Sequence, residues 1–281
     1  MSENKLYYYT TIDKLALILD SKAIRFTRLD LFDDMREIEP FVEYNPLKYI
    51  FASCHTKDPR ENIPLWKMYA SMESGVRIEF DKNTIFTPKT VTINVPHTQL
   101  PFDISTINTS SLLPEQIINS DYWAMPISFN TDLSKKKCQH ICYKDVIYND
   151  NFCEIYKNKL SVIDKPNGKG GTRREGSFCP TDFGYYKSEY WKFQNESRFL
   201  IYTSPFLKTY SVVNDILSGQ KELETKYIDV KLSDNCFDNT ILRLSPNANK
   251  SARLIVEALA KDFPNIHIED SELKDTIRDA K

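Results

Sequence analysis

A charged pair set at the mouth of an apolar strand is the feature that most constrains this chain. Glu196 and Arg198 run directly into Phe199-Leu200-Ile201-Tyr202. Residues two apart on a strand point to one face, so the carboxylate and the guanidinium would share a side of a sheet. Charges at a core edge carry a heavy desolvation cost unless they are paired or used. Two outcomes satisfy that cost: a structural ion pair closing a sheet end, or a site in which Glu196 does chemistry. Ion-pair networks and active sites share this signature.

With 281 residues the chain can build one large domain or two small ones. A net charge of -2 gives no bulk attraction to nucleic acid, although a local basic patch stays open. Seven glycines make Gly-rich nucleotide loops scarce, while 16 Tyr and 16 Phe supply many rings. The start, Met1 to Lys5, has no apolar signal core and no stretch approaches membrane-spanning length. A cytoplasmic protein away from membranes is expected, with its six cysteines as free thiols.

Periodicity predicts a strand over Leu6 to Thr10, then a helix from Ile12 capped by Thr11. Strands are expected at Ile24 to Thr27 and Tyr49 to Cys54. Between them the acidic stretch Asp30 to Glu39 reads as a solvated loop without the spacing of a calcium site. Pro64 suits the first turn of a helix whose face carries Leu65, Met68, Tyr69 and Met72, with Gly75 ending it. Val76, Ile78 and Phe80 alternate with Arg77 and Glu79, as on a half-buried strand. Later strands are expected at Cys142 to Tyr148, after Glu196, at Tyr227 to Leu232, at Thr240 to Leu244 and at the Ile266 to Ile268 edge. Asn247 or Asn249 would cap a closing helix. The absence of regular βαβ alternation predicts one α+β domain over 1–281. Its central sheet would be mixed or antiparallel and flanked by helices, with an insertion around 82–180.

Other constellations carry less. Cys138-Gln139-His140-Ile141-Cys142 alternates three potential metal ligands, but structural zinc wants a fourth and wider spacing, so no metal is expected. Gly168 to Arg174 is a basic loop without P-loop spacing, a candidate contact for phosphate or nucleic acid. Cys54 and His55 are adjacent and would face opposite ways on a strand, which argues against a dyad. Trp66 and Tyr69 share a helix face, either as core or as flat walls for a planar ligand.

Taken in order, several blocks resemble a bacterial family, the domain of unknown function numbered 2971. They are Tyr7-Tyr8-Tyr9-Thr10 with the following helix and acidic loop, then Trp66, Tyr69, Ala70 and Gly75 before an apolar strand. Lys187, Trp191, Glu196 and Arg198 follow, and Ile241 to Ala248 closes the pattern. That family is similar to the ADP-ribosyltransferase fold, so the resemblance implies a transferase that cleaves NAD and passes ADP-ribose to an unknown acceptor, protein or nucleic acid. It also implies bacterial stress or phage defence, with a partner protein of such a system. By the same resemblance Glu196 is the catalytic carboxylate, and Tyr8 stands where the family has His or Arg. Tyr8 and Thr10 would hold the nicotinamide ribose. Trp66, Tyr69 or Trp191 would cover the planar ring. Lys187, Arg25 and Arg198 would meet the pyrophosphate, with Arg198 alternatively orienting Glu196. The alternative is a non-catalytic module that senses a nucleotide in the same cleft. A nucleic-acid-processing enzyme with a metal site is a third class.

Overall fold

The computed structural model describes residues 4–41, 45–92, 106–119, 121–129, 138–166, 171–177, 179–205 and 223–277. It is an α+β structure organised on one ten-stranded sheet. The strands are β1 (Lys5–Thr11), β2 (Ala23–Arg28), β3 (Ile50–Thr56), β4 (Gly75–Asp81), β5 (Tyr122–Ala124), β6 (Ile141–Asp145), β7 (Glu196–Pro205), β8 (Tyr227–Lys231), β9 (Ile241–Leu244) and β10 (His267–Glu269). The main path runs β6-β7-β3-β1-β4-β9-β10, with β2 on β3, β8 on β2 and β5 on β7. Every pairing is antiparallel except β9 with β10, so the sheet is mixed. The expected insertion around 82–180 supplies β5 and β6 to this sheet.

Four helices bear on the argument: α1 (Ile12–Ser21), α2 (Ile63–Tyr69), α3 (Phe152–Lys159) and α4 (Lys250–Leu259). The Thr11 hydroxyl accepts from the Lys14 amide and caps α1, and Asn249 caps α4 through the Ala252 amide at 2.9 Å. One face of the sheet packs Leu6, Val76, Ile78, Phe80 and Leu242 with the apolar stripe of α1 and with Val256 of α4. The opposite face packs Leu200 and Tyr202 with Ile50, Phe152 and Phe183. Among the described residues no helix is long and apolar enough to cross a membrane.

Several expected boundaries move. Helix α2 stops at Tyr69, and Gly75 opens β4 instead of ending the helix. A Cβ at Gly75 would lie 2.4 Å from the Ser71 carbonyl oxygen, so this close approach is what requires glycine. Arg77 is not on a solvated side of β4: it is buried, stacked 4.6 Å from the Tyr7 ring and donating to the Pro59 carbonyl. The strand expected over Cys142 to Tyr148 is two strands, because Ile147–Tyr148 leaves the sheet to pair in parallel with Tyr186–Lys187. The two ends of the expected loop, Pro166 and Thr172 to Arg174, belong to paired strands, Ser161–Pro166 with Thr172–Ser177. Residues 167–170 of that loop lie outside the described residues.

Candidate functional site

The sheet forks at β3, and the fork makes a cavity. One edge of β3 is paired along its length by β7, from Glu196↔Thr56 to Tyr202↔Ile50. The other edge is shared: β2 takes Phe51 and Ala52, and β1 takes Thr56 through Tyr7. Between those anchors Ser53, Cys54 and His55 face a gap where β1 and β2 diverge. A cavity of about 430 Å³ fills it, within the range of small-molecule sites. Its walls include Tyr8, Thr10, Arg25, Tyr69, Lys187 and Glu196, all candidates from the sequence.

Register assigns the walls to two sides of the sheet. Tyr7 and Glu196 are both opposite Thr56, so they share a face, with Cys54 and Arg198 beside them. Tyr8 and Thr10 alternate to the other face, with Ser53 and His55. The fork lets both faces contribute to one hollow, which a closed sheet would forbid.

Glu196 sits in a buried charge cluster. Its Oε1 accepts from Arg198 Nε at 2.7 Å and its Oε2 from Lys187 Nζ at 3.2 Å. Both terminal nitrogens of Arg198 reach Glu37 at 2.8 Å, and Nη1 also donates to the Gly184 carbonyl at 2.9 Å. Lys187 additionally donates to Gln194 Oε1 at 2.9 Å. Burial alone would push the Glu196 carboxyl up. Arg198, and then Lys187, outweigh it and hold the group at about 2. Glu196 is therefore ionised at neutral pH; beside Arg198 and Lys187 it also accepts from the Cys54 thiol, and a carboxylate with about four lone-pair sites keeps acceptor capacity beyond these three.

Tyr8, His55, Tyr69 and Cys54 on the cavity wall are neutral at pH 7. Burial pushes Tyr8 up to about 12 and drives the His55 imidazole down to about 3. Tyr69 is raised by burial and by Asp33, whose Oδ2 accepts from its hydroxyl at 2.8 Å. The Cys54 thiol is raised by burial and then by Glu196, which makes it a poor nucleophile. His55 Nε2 meets Ser53 Oγ at 3.2 Å rather than the Cys54 sulfur.

Not every sequence candidate joins the cavity. Trp66 is buried beneath Tyr9 in an edge contact at 4.8 Å, with Nε1 donating to Glu61, so it is core rather than a ring cover. Trp191 lies 4.5 Å from Lys187 Nζ and holds that cation instead of walling the hollow. Arg198 is fully buried with its fork consumed by Glu37, so it orients Glu196 and does not meet a pyrophosphate. Arg25 lines the mouth, but two of its nitrogens go to Asp229 and its guanidinium lies 3.7 Å over Tyr227. Lys187 lines the cavity with its ammonium group already contacting Glu196 and Gln194.

Two residues were missed. Glu37 was placed in a solvated loop, yet it is 1% exposed and anchors Arg198. Nothing local in the acidic stretch distinguishes it from its neighbours, since the partner is contributed by β7. Lys14 on α1 is exposed, lines the cavity and has no carboxylate partner among the described residues. Its position on the polar face of an amphipathic helix gave no signal.

Among the described residues no group of three His, Cys, Asp or Glu side chains is arranged to hold a metal ion. His140 is buried, and the Cys138 side chain lies outside the described residues. Five cysteines carry free thiols: Cys54, Cys142, Cys153, Cys179 and Cys236. No protein-family model matches the chain, and neither does any curated protein sequence or solved structure.

Proposed function

We propose that the forked cleft binds NAD, or a related nucleotide, and that Glu196 promotes cleavage of its N-glycosidic bond with transfer of ADP-ribose to an acceptor. One observation carries this: Tyr8, Tyr69 and an ionised Glu196 line one cavity of small-molecule size. Nicotinamide leaves as a neutral molecule from a cationic ring, so the leaving group needs no general acid. The transition state is oxocarbenium-like, as in glycoside cleavage. A fixed carboxylate beside the ribose stabilises developing positive charge without having to reorganise. The free lone pairs of Glu196 accept a ribose hydroxyl, and Arg198 and Lys187 hold the group in place. Tyr69 offers a ring for the nicotinamide, and Tyr8 and Thr10 offer hydroxyls to the ribose. Lys14 and Arg25 at the mouth meet the pyrophosphate. The likeness of the sequence blocks to the domain of unknown function 2971, and through it to ADP-ribosyltransferases, points the same way. A cytoplasmic role in bacterial stress or phage defence belongs to the same proposal.

Glu196→Gln keeps the shape and removes the charge. Wild type is expected to release nicotinamide from NAD in the presence of protein, DNA or RNA acceptors, and the variant to release little, with unchanged circular dichroism. Equal rates, or no release with any acceptor, would rule out the enzyme.

A second function rests on the same cluster. Both Glu196 oxygens already contact cations, so its charge is matched before any ligand arrives. That arrangement suits a non-catalytic nucleotide sensor signalling through a partner protein. Calorimetry with NAD and ADP-ribose separates the two, since binding without turnover belongs to the sensor.

A further inference from the structure

An unbroken line of hydrogen bonds runs along the cavity wall from Glu196 to the exposed side chain of Asp33, and its two ends fix the direction of every bond in it. At the inner end the Lys187 ammonium group has protons to give and no lone pair to receive one. It donates to Glu196 Oε2 at 3.2 Å and to Gln194 Oε1 at 2.9 Å. The Gln194 amide is thereby oriented. Its oxygen is turned to Lys187, and its Nε2 donates to the Tyr69 hydroxyl at 2.6 Å. That hydroxyl gives its one proton to Asp33 Oδ2 at 2.8 Å, and a carboxylate oxygen ends the line as an acceptor.

These groups come from three segments far apart in sequence: Asp33 from 29–41, Tyr69 from α2, and Gln194 from the 3₁₀ turn Glu189–Gln194. All of them line the cavity together with Lys187 and Glu196. Two bonds at one oxygen, from segments that do not otherwise share a backbone path, hold the far end of the Tyr69 ring in place. They also spend the only proton of the hydroxyl, so Tyr69 meets a ligand chiefly through its ring. Gln194 is 3% exposed, and one residue, Asn195 at φ +42°, separates it from Glu196. The bridge between carboxylate and ring is therefore short and buried at its centre.

We propose that Gln194 is a positioning residue: it holds the Tyr69 ring in register with the Glu196 carboxylate, so that a planar ring and the sugar joined to it meet their walls together. This rests on the nucleotide cleavage proposed above, in which the ring is nicotinamide and the sugar its ribose. A ring contact is made in the ground state and the transition state alike, so its loss belongs in KM, whereas damage to Glu196 belongs in kcat.

The test compares wild type with Gln194→Met, Tyr69→Phe and the double variant. Gln194→Met keeps the length of the side chain and removes both amide contacts; Tyr69→Phe keeps the ring and removes the hydroxyl. Each breaks the same bond, so each is expected to raise KM for NAD about three- to tenfold with kcat little changed, and the double variant to lose no more than the worse single variant. A second measurement reads the ring in the free protein. 3-Fluorotyrosine placed at position 69 is expected to give one narrow fluorine resonance in wild type, and a shifted, broadened one in Gln194→Met and in Asp33→Ala. Asp33→Ala acts at the exposed end of the line and leaves the buried cluster intact, so it serves even where Gln194→Met does not fold. Additive losses in the double variant, losses confined to kcat, or an unchanged fluorine resonance in the variants would each overturn the proposal. Wild type that neither binds nor cleaves NAD removes the nucleotide function, and the fluorine resonance then decides alone whether Gln194 holds the ring.

Discussion

Arg198 and Glu37 lie 161 positions apart and meet in a two-pronged ion pair, each terminal nitrogen 2.8 Å from a carboxylate oxygen. This pairing leaves Arg198 only its Nε for Glu196, and so fixes the direction in which the Glu196 carboxylate points. A loop residue thereby sets the geometry of the cleft wall.

Removing one partner of this buried pair leaves an uncompensated charge. Glu37→Gln is expected to cost about 3–5 kcal/mol in urea unfolding. In a double-mutant cycle with Arg198→Met the two changes should couple by about 1 kcal/mol or more, because they share one contact. Additive losses would show that the pair is not a unit.

The buried histidines make stability depend on pH. Burial holds His55 at about 3 and His140 at about 4, against an ordinary 6.5. The unfolded chain takes up these protons first, so stability is full above pH 6.5 and declines as pH falls toward 4. Each histidine contributes about 1.4 kcal/mol per pH unit to that slope. Glu196 acts in a lower window: its contribution is present above pH 4.5 and is lost as pH falls through about 2. Urea unfolding between pH 6.5 and 4.5 isolates the histidines. His55→Phe, placed among Tyr8, Phe80 and Phe199, should reduce the slope to about half. An unchanged slope would mean that His55 is charged in the fold.

Gly184 supports the cluster from below. Its φ is +89°, and a Cβ there would lie 2.8 Å from Leu29 Cδ1. Gly184→Ala is expected to lose about 1–3 kcal/mol of stability through backbone strain and crowding beside Arg198. A thermal melt indistinguishable from wild type would contradict this.

Lys14 is the exposed cation of the cleft wall with no carboxylate partner among the described residues. Lys14→Ala is expected to weaken NAD binding by about three- to tenfold at low salt, with a smaller difference at high salt, where exposed charges are screened. Calorimetry at two ionic strengths measures it. Equal affinities at low salt would remove Lys14 from the site.

Much of the secondary structure was legible along the chain. Thr11 and Asn249 announce their helices because capping is a contact across three residues. The alternation of Val76, Ile78 and Phe80 marks β4, and Glu196 and Arg198 share a face because strand periodicity alone requires it. The boundaries that moved depended on partners. Ile147 leaves β6 because Tyr186 is waiting to pair with it, and Arg77 is buried because Tyr7 is beside it.

The chain's local pattern therefore determined the strands, the caps and the facing of Glu196 and Arg198, all set by neighbours within a few residues. The tertiary structure alone decided that β1 and β2 share one edge of β3, that a cavity opens between them, and that Glu37 rather than solvent receives Arg198. Those outcomes come from pairings between segments far apart in sequence. Whether a charge is buried, and beside what, is settled only when those segments meet.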